Sequence, residues 1–239
     1  MKNSNHFGFA VVGICLLAGL IVLGFFINNS VKTFKDYERT VTVRGLAEQE
    51  HMADVVIWPL QFTLASNNRD EIFTQLEENA KITRQFLMEN GISEDEISTD
   101  VPIVTDRQAQ RWGGDSGAQF RYIASQAITV YSNNVEHVRD VMRKVGELGQ
   151  RGVIISGDDY QFRTEYMFTR LNEIKPEMIE EATIEARKVA EKFAEDSDSK
   201  LGKIKTASQG QFTISDRDNN NPHIKNVRVV STIVYYLTD

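Results

Sequence analysis

The sequence predicts an α+β body preceded by one membrane-spanning helix. A long stretch without charges stands near the N-terminus, at residues 7–27. Behind it, segments of alternating β-branched and aromatic residues occur mostly in pairs, and segments with helical spacing of apolar residues separate them. This order predicts antiparallel strand pairs packed with about three helices, arranged as two α/β halves.

The apolar stretch begins at Phe7 and ends at Ile27. At about 1.5 Å per residue, a helix of this length spans the roughly 30 Å hydrocarbon layer of a bilayer. The alternative is a cleaved secretory signal, which has a shorter apolar core followed by a small-residue cleavage site that this sequence lacks. We expect an uncleaved anchor at residues 1–31, a linker at 32–38 and a body at 39–239.

The amino-acid composition of the body excludes some classes of function. The chain carries 27 Lys and Arg against 34 Asp and Glu, and all but Lys2 follow the anchor. An acidic body repels phosphate backbones, so nucleic-acid binding is not expected. The single cysteine, Cys15, lies in the anchor, which excludes disulfides and thiolate chemistry from the body. Basic residues flank the anchor on both sides, so charge leaves its orientation open.

The first half of the body predicts two strands, a helix and two further strands. Residues 39–45 and 53–65 alternate at period two, and Pro59 in the second strand indicates an edge position or a bulge. Asn68 and Glu71 have the spacing of a capping box, and Gly91 marks the end of the helix. The next strands are expected at 97–105 and 119–131.

The second half predicts a helix, a strand, a further helix and two strands. A helix is expected at 135–148 and a strand at 153–166, after which Pro176 starts a third helix. Four alanines at four-residue intervals in that helix predict close packing against a sheet or another helix. Strands at 204–215 and 227–237, joined by a polar turn, end the body.

No residue pattern in the sequence predicts catalysis, a cofactor or a metal site. The four histidines, His6, His51, His137 and His223, lie on separate predicted elements without metal-ligand spacing. Asp216, Asp218 and Asn220 resemble the first ligand positions of a calcium loop, but the required glycine and distal glutamate are missing. We therefore expect a protein that is not an enzyme.

The loop at residues 106–118 is the most suggestive exposed segment. It contains Arg107, Arg111 and Trp112, and arginine and tryptophan are preferred anchors of protein interfaces. A mobile loop with a partly covered indole is the alternative interpretation. If the first holds, this loop and the edge strands are contact surfaces between copies of the chain.

Several segments together resemble the SIMPL domain, also called DUF541, and they occur in the family's order over about residues 40–237. The segments are TVRGLAE (42–48), Ala53-Asp54, ENA (78–80), GISEDEIST (91–99), YIAS (122–125), the alanine-rich helix and LGKI (201–204). The family often has a cleavable signal and a proline before the aspartate at position 54. Here the N-terminus looks uncleaved and Ala53 takes the place of that proline.

The resemblance implies a location and an assembly. Bacterial members are exported or membrane-anchored envelope proteins without an agreed enzymatic activity, some form hollow rings or cages, and some are linked to oxidative-stress tolerance. It implies a single-pass protein of the inner membrane, with its body in the periplasm, whose partners are the lipid bilayer and further copies of itself. The alternative is a small-ligand-binding module or hydrolase, with a pocket between the halves lined by His51, Asp54 and Tyr122.

Overall fold

The computed structural model describes residues 4–36, 39–109, 119–156 and 162–238, with side chains of the first helix placed over 11–27. Its helices are α1 (Ser4–Asp36), α2 (Arg69–Glu89), α3 (Val135–Met142), α4 (Gly146–Gln150) and α5 (Leu171–Asp196). Its strands are β1 (Thr40–Met52), β2 (Val55–Ser66), β3 (Ile97–Thr99), β4 (Ile103–Asp106), β5 (Tyr122–Ser132), β6 (Glu165–Met167), β7 (Lys200–Gln209), β8 (Thr213–Asp216) and β9 (Ile224–Thr238). The predicted mixture of helices and antiparallel strands is confirmed.

The chain forms two compact units, each built from segments that are distant in sequence. Unit 1 consists of Met1–Gln49, Ile174–Thr213 and Arg228–Asp239. Unit 2 consists of Glu50–Glu173 and Ile214–Val227. Strands β1 and β9 therefore contribute residues to both units.

Helix α1 covers the whole apolar stretch that the sequence singles out. Every side chain described in it, from Val11 to Ile27, is exposed, and Ile14 and Phe25 reach 68% and 70% exposure. Among the residues that the structure describes, no helix is both long enough and apolar enough to cross a membrane, so the membrane-spanning helix expected from the sequence stays a prediction.

In unit 1, helix α5 packs against the sheet with strand order β1-β9-β7. The alanines of α5 at positions 182, 186, 190 and 194 are all buried. A Cβ atom added to Gly45 of β1 would lie 1.7 Å from the Ala182 carbonyl oxygen and 2.5 Å from the Ala186 amide nitrogen. The predicted alanine stripe therefore serves helix-to-sheet packing, and only glycine fits opposite it.

Unit 2 contains a five-stranded sheet with order β3-β5-β2-β6, in which β4 also pairs with β5. The antiparallel ladder between β2 and β5 runs from Val56 opposite Ser132 to Ser66 opposite Tyr122. Helix α2 packs on this sheet, and its side chains join a common core that includes Leu60, Phe62, Ile72, Phe86 and Ile128. This core contains most of the largest buried apolar side chains of the chain.

The ends of α2 follow local sequence signals, with one difference from the prediction. Asn68 accepts a hydrogen bond from the Asp70 amide at 3.0 Å, and Gly91 has a φ of 87°. Glu71, however, does not complete the predicted capping box with Asn68. Its carboxylate accepts from the Ser66 hydroxyl at 2.7 Å, and that hydroxyl accepts from the Asn68 amide at 3.0 Å. Ser66 therefore connects β2 to the first turn of the helix.

Five predicted elements differ from the structure. The predicted strand 204–215 is divided into β7 and β8. Helix α5 begins at Leu171, so Pro176 lies inside its second turn and removes one backbone donor. The predicted strand 97–105 is divided into β3 and β4 around Pro102, and the predicted helix 135–148 is divided into α3 and α4 before Gly146. Of the predicted strand 153–166, the described part forms a single bridge from Ile155 to Phe62 and the start of β6.

Pro59 lies in an inner strand of its sheet, between β5 and β6, and not in an edge strand. The ladder between β2 and β6 ends at Ile57, two residues before the proline. A proline cannot donate a backbone hydrogen bond, so it is tolerated where one edge of a strand is no longer paired by its neighbour.

We expect Gly45→Ala to destabilise the protein by about 1–3 kcal/mol or more, because the added methyl group forces β1 away from α5. Gly149→Ala is the matched control, since no atom lies within 4 Å of its Cβ position in α4. Urea unfolding monitored by circular dichroism measures both variants. Equal unfolding midpoints for the two variants would show that the contact at Gly45 is not a constraint on the fold.

Candidate functional site

The loop that was predicted to carry interface residues lies mainly outside the described chain. Arg111 and Trp112 fall within residues 110–118, which the structure does not describe, so their role stays a prediction. Arg107 is described, and its backbone N–H donates to the Arg121 carbonyl at 2.9 Å. The Arg121 guanidinium binds the Asp106 carboxylate at 2.7 Å. The base of the loop is therefore closed by hairpin pairing and an ion pair.

The three residues predicted to line a pocket do not come together. Tyr122 lies opposite Ser66, at the far end of the β2/β5 ladder from Val56, ten pairs away. At about 3.3 Å per residue, this separates it by roughly 33 Å from the end of β2 that adjoins Asp54. The prediction was wrong for Tyr122 because β5 runs antiparallel to β2, which places the start of one strand beside the end of the other. His51 and Asp54 remain close to each other, before β2.

Asp54 binds the segment that leads into α5. Its carboxylate accepts from the Thr169 amide at 2.8 Å, the Thr169 hydroxyl at 3.0 Å and the Arg170 guanidinium at 3.1 Å. Burial raises the pKa of the Asp54 carboxyl, but these hydrogen bonds outweigh it, and the pKa lies below its ordinary value. The ionised form is thus held in place at neutral pH.

Phe168 lies beside this carboxylate, in contact with two other side chains. The His51 ring stacks on it with centroids 5.2 Å apart and an angle of 23° between the rings. The guanidinium carbon of Arg170 lies 6.0 Å from the centre of the Phe168 ring, within the range of a cation–π contact. Arg170 therefore makes contacts with both Asp54 and Phe168, and its position is fixed by both.

His223 is buried next to the same segments. Its backbone carbonyl accepts from the Ala53 amide at 2.8 Å, and its ring meets Tyr166 edge-on with centroids 6.0 Å apart. Burial lowers the pKa of His223, and the cationic side chains of Arg139 and Arg217 lower it further, against the opposing charge of Asp218. The neutral imidazole is therefore the favoured form in the folded protein.

We call the residues 54, 166, 168–170 and 223 the Asp54 cluster. It joins the turn between β1 and β2, the segment from β6 to α5, and the residue before β9. A carboxylate with three donors and a lowered pKa is a weak proton acceptor, and burial raises the pKa of the Tyr166 hydroxyl. The arrangement is suited to holding chain segments together, and sequence spacing gave no signal of it because its members are far apart along the chain.

A cleft of about 680 Å³ lies along α2, and we call it the α2 cleft. One wall is helix α2, and the opposite side is formed by Thr99, Pro102 and Gln126. The Gln126 amide donates to the Asp100 carbonyl at 2.9 Å, which fixes this side. The apolar side chains on the helix wall include Phe73 and Met88, which are 42% and 44% exposed.

One cationic residue bridges the two sides of the α2 cleft. Arg84 of α2 donates to the Thr99 hydroxyl at 3.2 Å and pairs with Glu94 at 2.9 Å. The exposed surface of the cleft is mostly apolar, although Glu77, Lys81 and Gln85 also line it, and hydrogen bonds bridge it at Arg84. The sequence predicted Phe73 only as part of the apolar face of the helix, because periodicity does not show which residues of that face stay exposed.

The residues that resemble a calcium loop bind each other and their neighbours. Asp218 accepts hydrogen bonds from the backbone amides of Asn220 and Asn221, both at 2.9 Å. The Asn221 side chain and then Arg217 lower the pKa of Asp218 to about 2. Asp216 pairs with the buried Lys225. Within the described part of the chain, no three histidine, cysteine or acidic side chains are grouped so that they could hold a metal ion.

We expect Asp54→Asn to lower the free energy of unfolding by about 1.5–3 kcal/mol at pH 7, because the amide cannot replace a charged acceptor of three hydrogen bonds. The pKa of Asp54 is lowered in the folded state, so its contribution is present at neutral pH. This contribution to stability is lost as the pH falls from about 4, the ordinary pKa of aspartate in the unfolded chain, through the lower pKa of Asp54 in the folded protein. The difference between wild type and variant should therefore shrink in acid.

Urea unfolding at pH 7 and at about pH 3.5 measures this difference. Asp100→Asn is the control, since that side chain is exposed and the change should stay within about 0.5 kcal/mol. A variant at position 54 as stable as the wild type at pH 7 would show that the hydrogen bonds do not stabilise the fold.

A comparison with protein family models tests the resemblance that the sequence segments indicate. Residues 41–230 match the family model described as SIMPL, protein of unknown function (DUF541). No curated protein matches the chain. The match covers most of the chain and includes both the Asp54 cluster and the α2 cleft, and the resemblance expected from the sequence is confirmed. The chain belongs to the SIMPL (DUF541) family.

Proposed function

We propose that this chain is a non-enzymatic protein of the cell envelope that is attached to the inner membrane by α1 and self-associates through its body. The body lies in the periplasm, and copies form a closed ring or cage. A role in envelope or oxidative-stress tolerance is consistent with what the family resemblance implies. Lipid and further copies of the chain are the partners in this proposal.

The exposure of α1 carries the proposal. Its described side chains are exposed throughout, and the most exposed are apolar, including Leu17, Phe25 and Phe26 at 63%, 70% and 66%. A continuous apolar surface of this length is unfavourable in water and marks a site that lipid or protein covers. The uncharged stretch at 7–27 has the length of a bilayer-spanning helix, which favours lipid.

The surface around the α2 cleft supports self-association. Next to the cleft, Val101 and Ile103 are exposed at 84% and 67%, in addition to Phe73 and Met88. Methionine and aromatic side chains are enriched at protein interfaces, and apolar side chains grouped around a concave surface are a common contact site. A second copy of the chain is the partner that an assembly of identical subunits requires.

We expect full-length protein and its Leu20→Ala variant to remain with membranes after alkaline carbonate extraction. Leu20→Arg should be released to a larger extent, because a charge at the helix centre costs about 2.5–3.5 kcal/mol by insertion scales. Protease added to spheroplasts should degrade the body if it is periplasmic. Recovery of the wild type in the soluble fraction would contradict membrane attachment.

A second candidate function is a ligand-binding module, and the α2 cleft favours it. A volume of about 680 Å³ falls within the roughly 300–1,000 Å³ of typical ligand pockets, and the lining is mostly apolar. The cleft lies wholly within unit 2. It is therefore a different pocket from the one predicted between the two halves.

The double variant Phe73→Ser/Met88→Ser distinguishes the two functions. If copies meet at the cleft, light scattering of full-length protein in detergent should show an oligomer for the wild type and a smaller species for the variant. Ile154→Ser, at a side chain that is 78% exposed, is the control and should keep the oligomer. A monomeric wild type would rule out self-association. An unchanged oligomer in the variant would show that copies do not meet at the cleft, which would favour the ligand-binding function.

A further inference from the structure

Charge in unit 1 is divided between its sheet and its helix. The sheet residues of this unit are mainly basic: Arg44, Lys200, Lys203, Lys205 and Arg228, with Glu48 as the acidic residue among those described. Helix α5 has the opposite balance and carries Glu177, Glu180, Glu181, Glu185, Glu191, Glu195 and Asp196 against Lys175, Arg187, Lys188 and Lys192. An anionic surface would therefore attract the sheet and repel the helix.

Strand alternation places the basic residues on the face turned away from α5. Arg44 stands between Val43, which is buried with α5 alanines, and Gly45, which touches the α5 backbone. Arg228 stands between two fully buried valines. Because successive side chains of a strand point to opposite faces, both arginines lie on the uncovered face.

Strand β7 adds a third cation to this face. The Lys205 ammonium lies 5.4 Å from the ring centre of Tyr236, and Tyr236 follows Tyr235, which is buried in the core under α5. Leu46 of β1 lies on the same face and is 41% exposed. We call this surface the outer sheet face, defined by Arg44, Leu46, Lys205, Arg228, Thr232 and Tyr236. It combines cationic, aromatic and aliphatic side chains, and by the same alternation the acidic Glu48 also lies on it.

The chain tethers the outer sheet face close to the end of α1. Helix α1 ends at Asp36 and β1 begins at Thr40. Four residues of fully extended chain reach at most about 14 Å. The apolar stretch ends at Ile27, and α1 continues for nine residues to Asp36, about 14 Å at 1.5 Å per residue. If α1 is inserted in a bilayer, the start of β1 therefore lies within about 28 Å of the hydrocarbon layer. The sheet is the nearest folded element that follows α1 in the chain.

We propose that the outer sheet face lies against an anionic lipid surface, with Arg44, Lys205 and Arg228 bound to lipid phosphates. Guanidinium groups bind phosphate with two parallel hydrogen bonds, and each cation near an anionic leaflet contributes attraction that salt screens. Tyr236 and Leu46 are suited to the interface between headgroups and acyl chains. This inference rests on the membrane attachment proposed for α1, and it adds the orientation of unit 1.

Fluorescence quenching by lipids with a nitroxide headgroup tests the orientation. The full-length protein carries Cys15→Ala, so that a single introduced cysteine takes the dye, either Thr232→Cys on the outer sheet face or Ile184→Cys on α5. Both proteins are reconstituted in vesicles of phosphatidylcholine with phosphatidylglycerol. We expect strong quenching at position 232 and weak quenching at 184, and weaker quenching at 232 in vesicles of phosphatidylcholine alone.

Charge reversal separates electrostatic docking from mere proximity. Arg44→Glu/Lys205→Glu/Arg228→Glu should reduce quenching at 232, as should about 1 M salt, where the screening length falls to about 3 Å. The same reversal on α5, Arg187→Glu/Lys188→Glu/Lys192→Glu, is the matched control and should leave the quenching unchanged.

Vesicle flotation distinguishes the proposed orientation of unit 1 from the proposed membrane attachment of α1. Protein that floats with vesicles but is quenched equally at 232 and 184, or is unaffected by reversal on the sheet, overturns the orientation while attachment stands. Protein that fails to float in all vesicles contradicts membrane attachment, and the orientation falls with it. Flotation together with selective, charge-dependent quenching at 232 supports both.

Discussion

The backbone contact between β1 and α5 at Gly45 is the constraint on which unit 1 depends. A helix and a strand approach this closely only if neither has a bulky side chain at the contact, and the alanines of α5 meet that condition together with the glycine. The close approach sets the face of β1 that is buried. Because side chains alternate along a strand, it thereby also sets the face on which Arg44 and Leu46 are exposed.

Prediction from the sequence succeeded where interactions between residues close in the chain determine the structure. The strand at β2 and the helix at α2 follow from periodicity, and Asn68 and Gly91 end the helix as their backbone preferences predict. Prediction failed where the structure depends on contacts that local sequence patterns do not show. Glu71 binds Ser66 rather than completing a capping box, and α5 starts before Pro176 even though the proline removes a donor from its ladder.

The functional residues were harder to predict than the fold for the same reason. The Asp54 cluster draws on segments around residues 54, 168 and 223, which no sequence spacing relates. The α2 cleft lies between α2 and the residues Thr99, Pro102 and Gln126, and only the tertiary structure brings these segments together. Tyr122 was misplaced because the sequence does not show that β5 pairs with β2, nor in which register. Arg111 and Trp112 lie outside the described chain, so the structure adds nothing to their prediction.

The order of strands has a consequence for the synthesis of the protein. In the sheet that contains β1, the central strand is β9, which follows every other strand along the chain. Most strands of the unit 2 sheet, in contrast, leave the ribosome together with α2, in one continuous segment. Unit 2 can thus begin to fold before β9, the strand that pairs with β1, has been synthesised. Until β9 emerges, both β1 and β7 have unpaired backbone edges that other chains can bind. Chaperone protection would matter most for this interval.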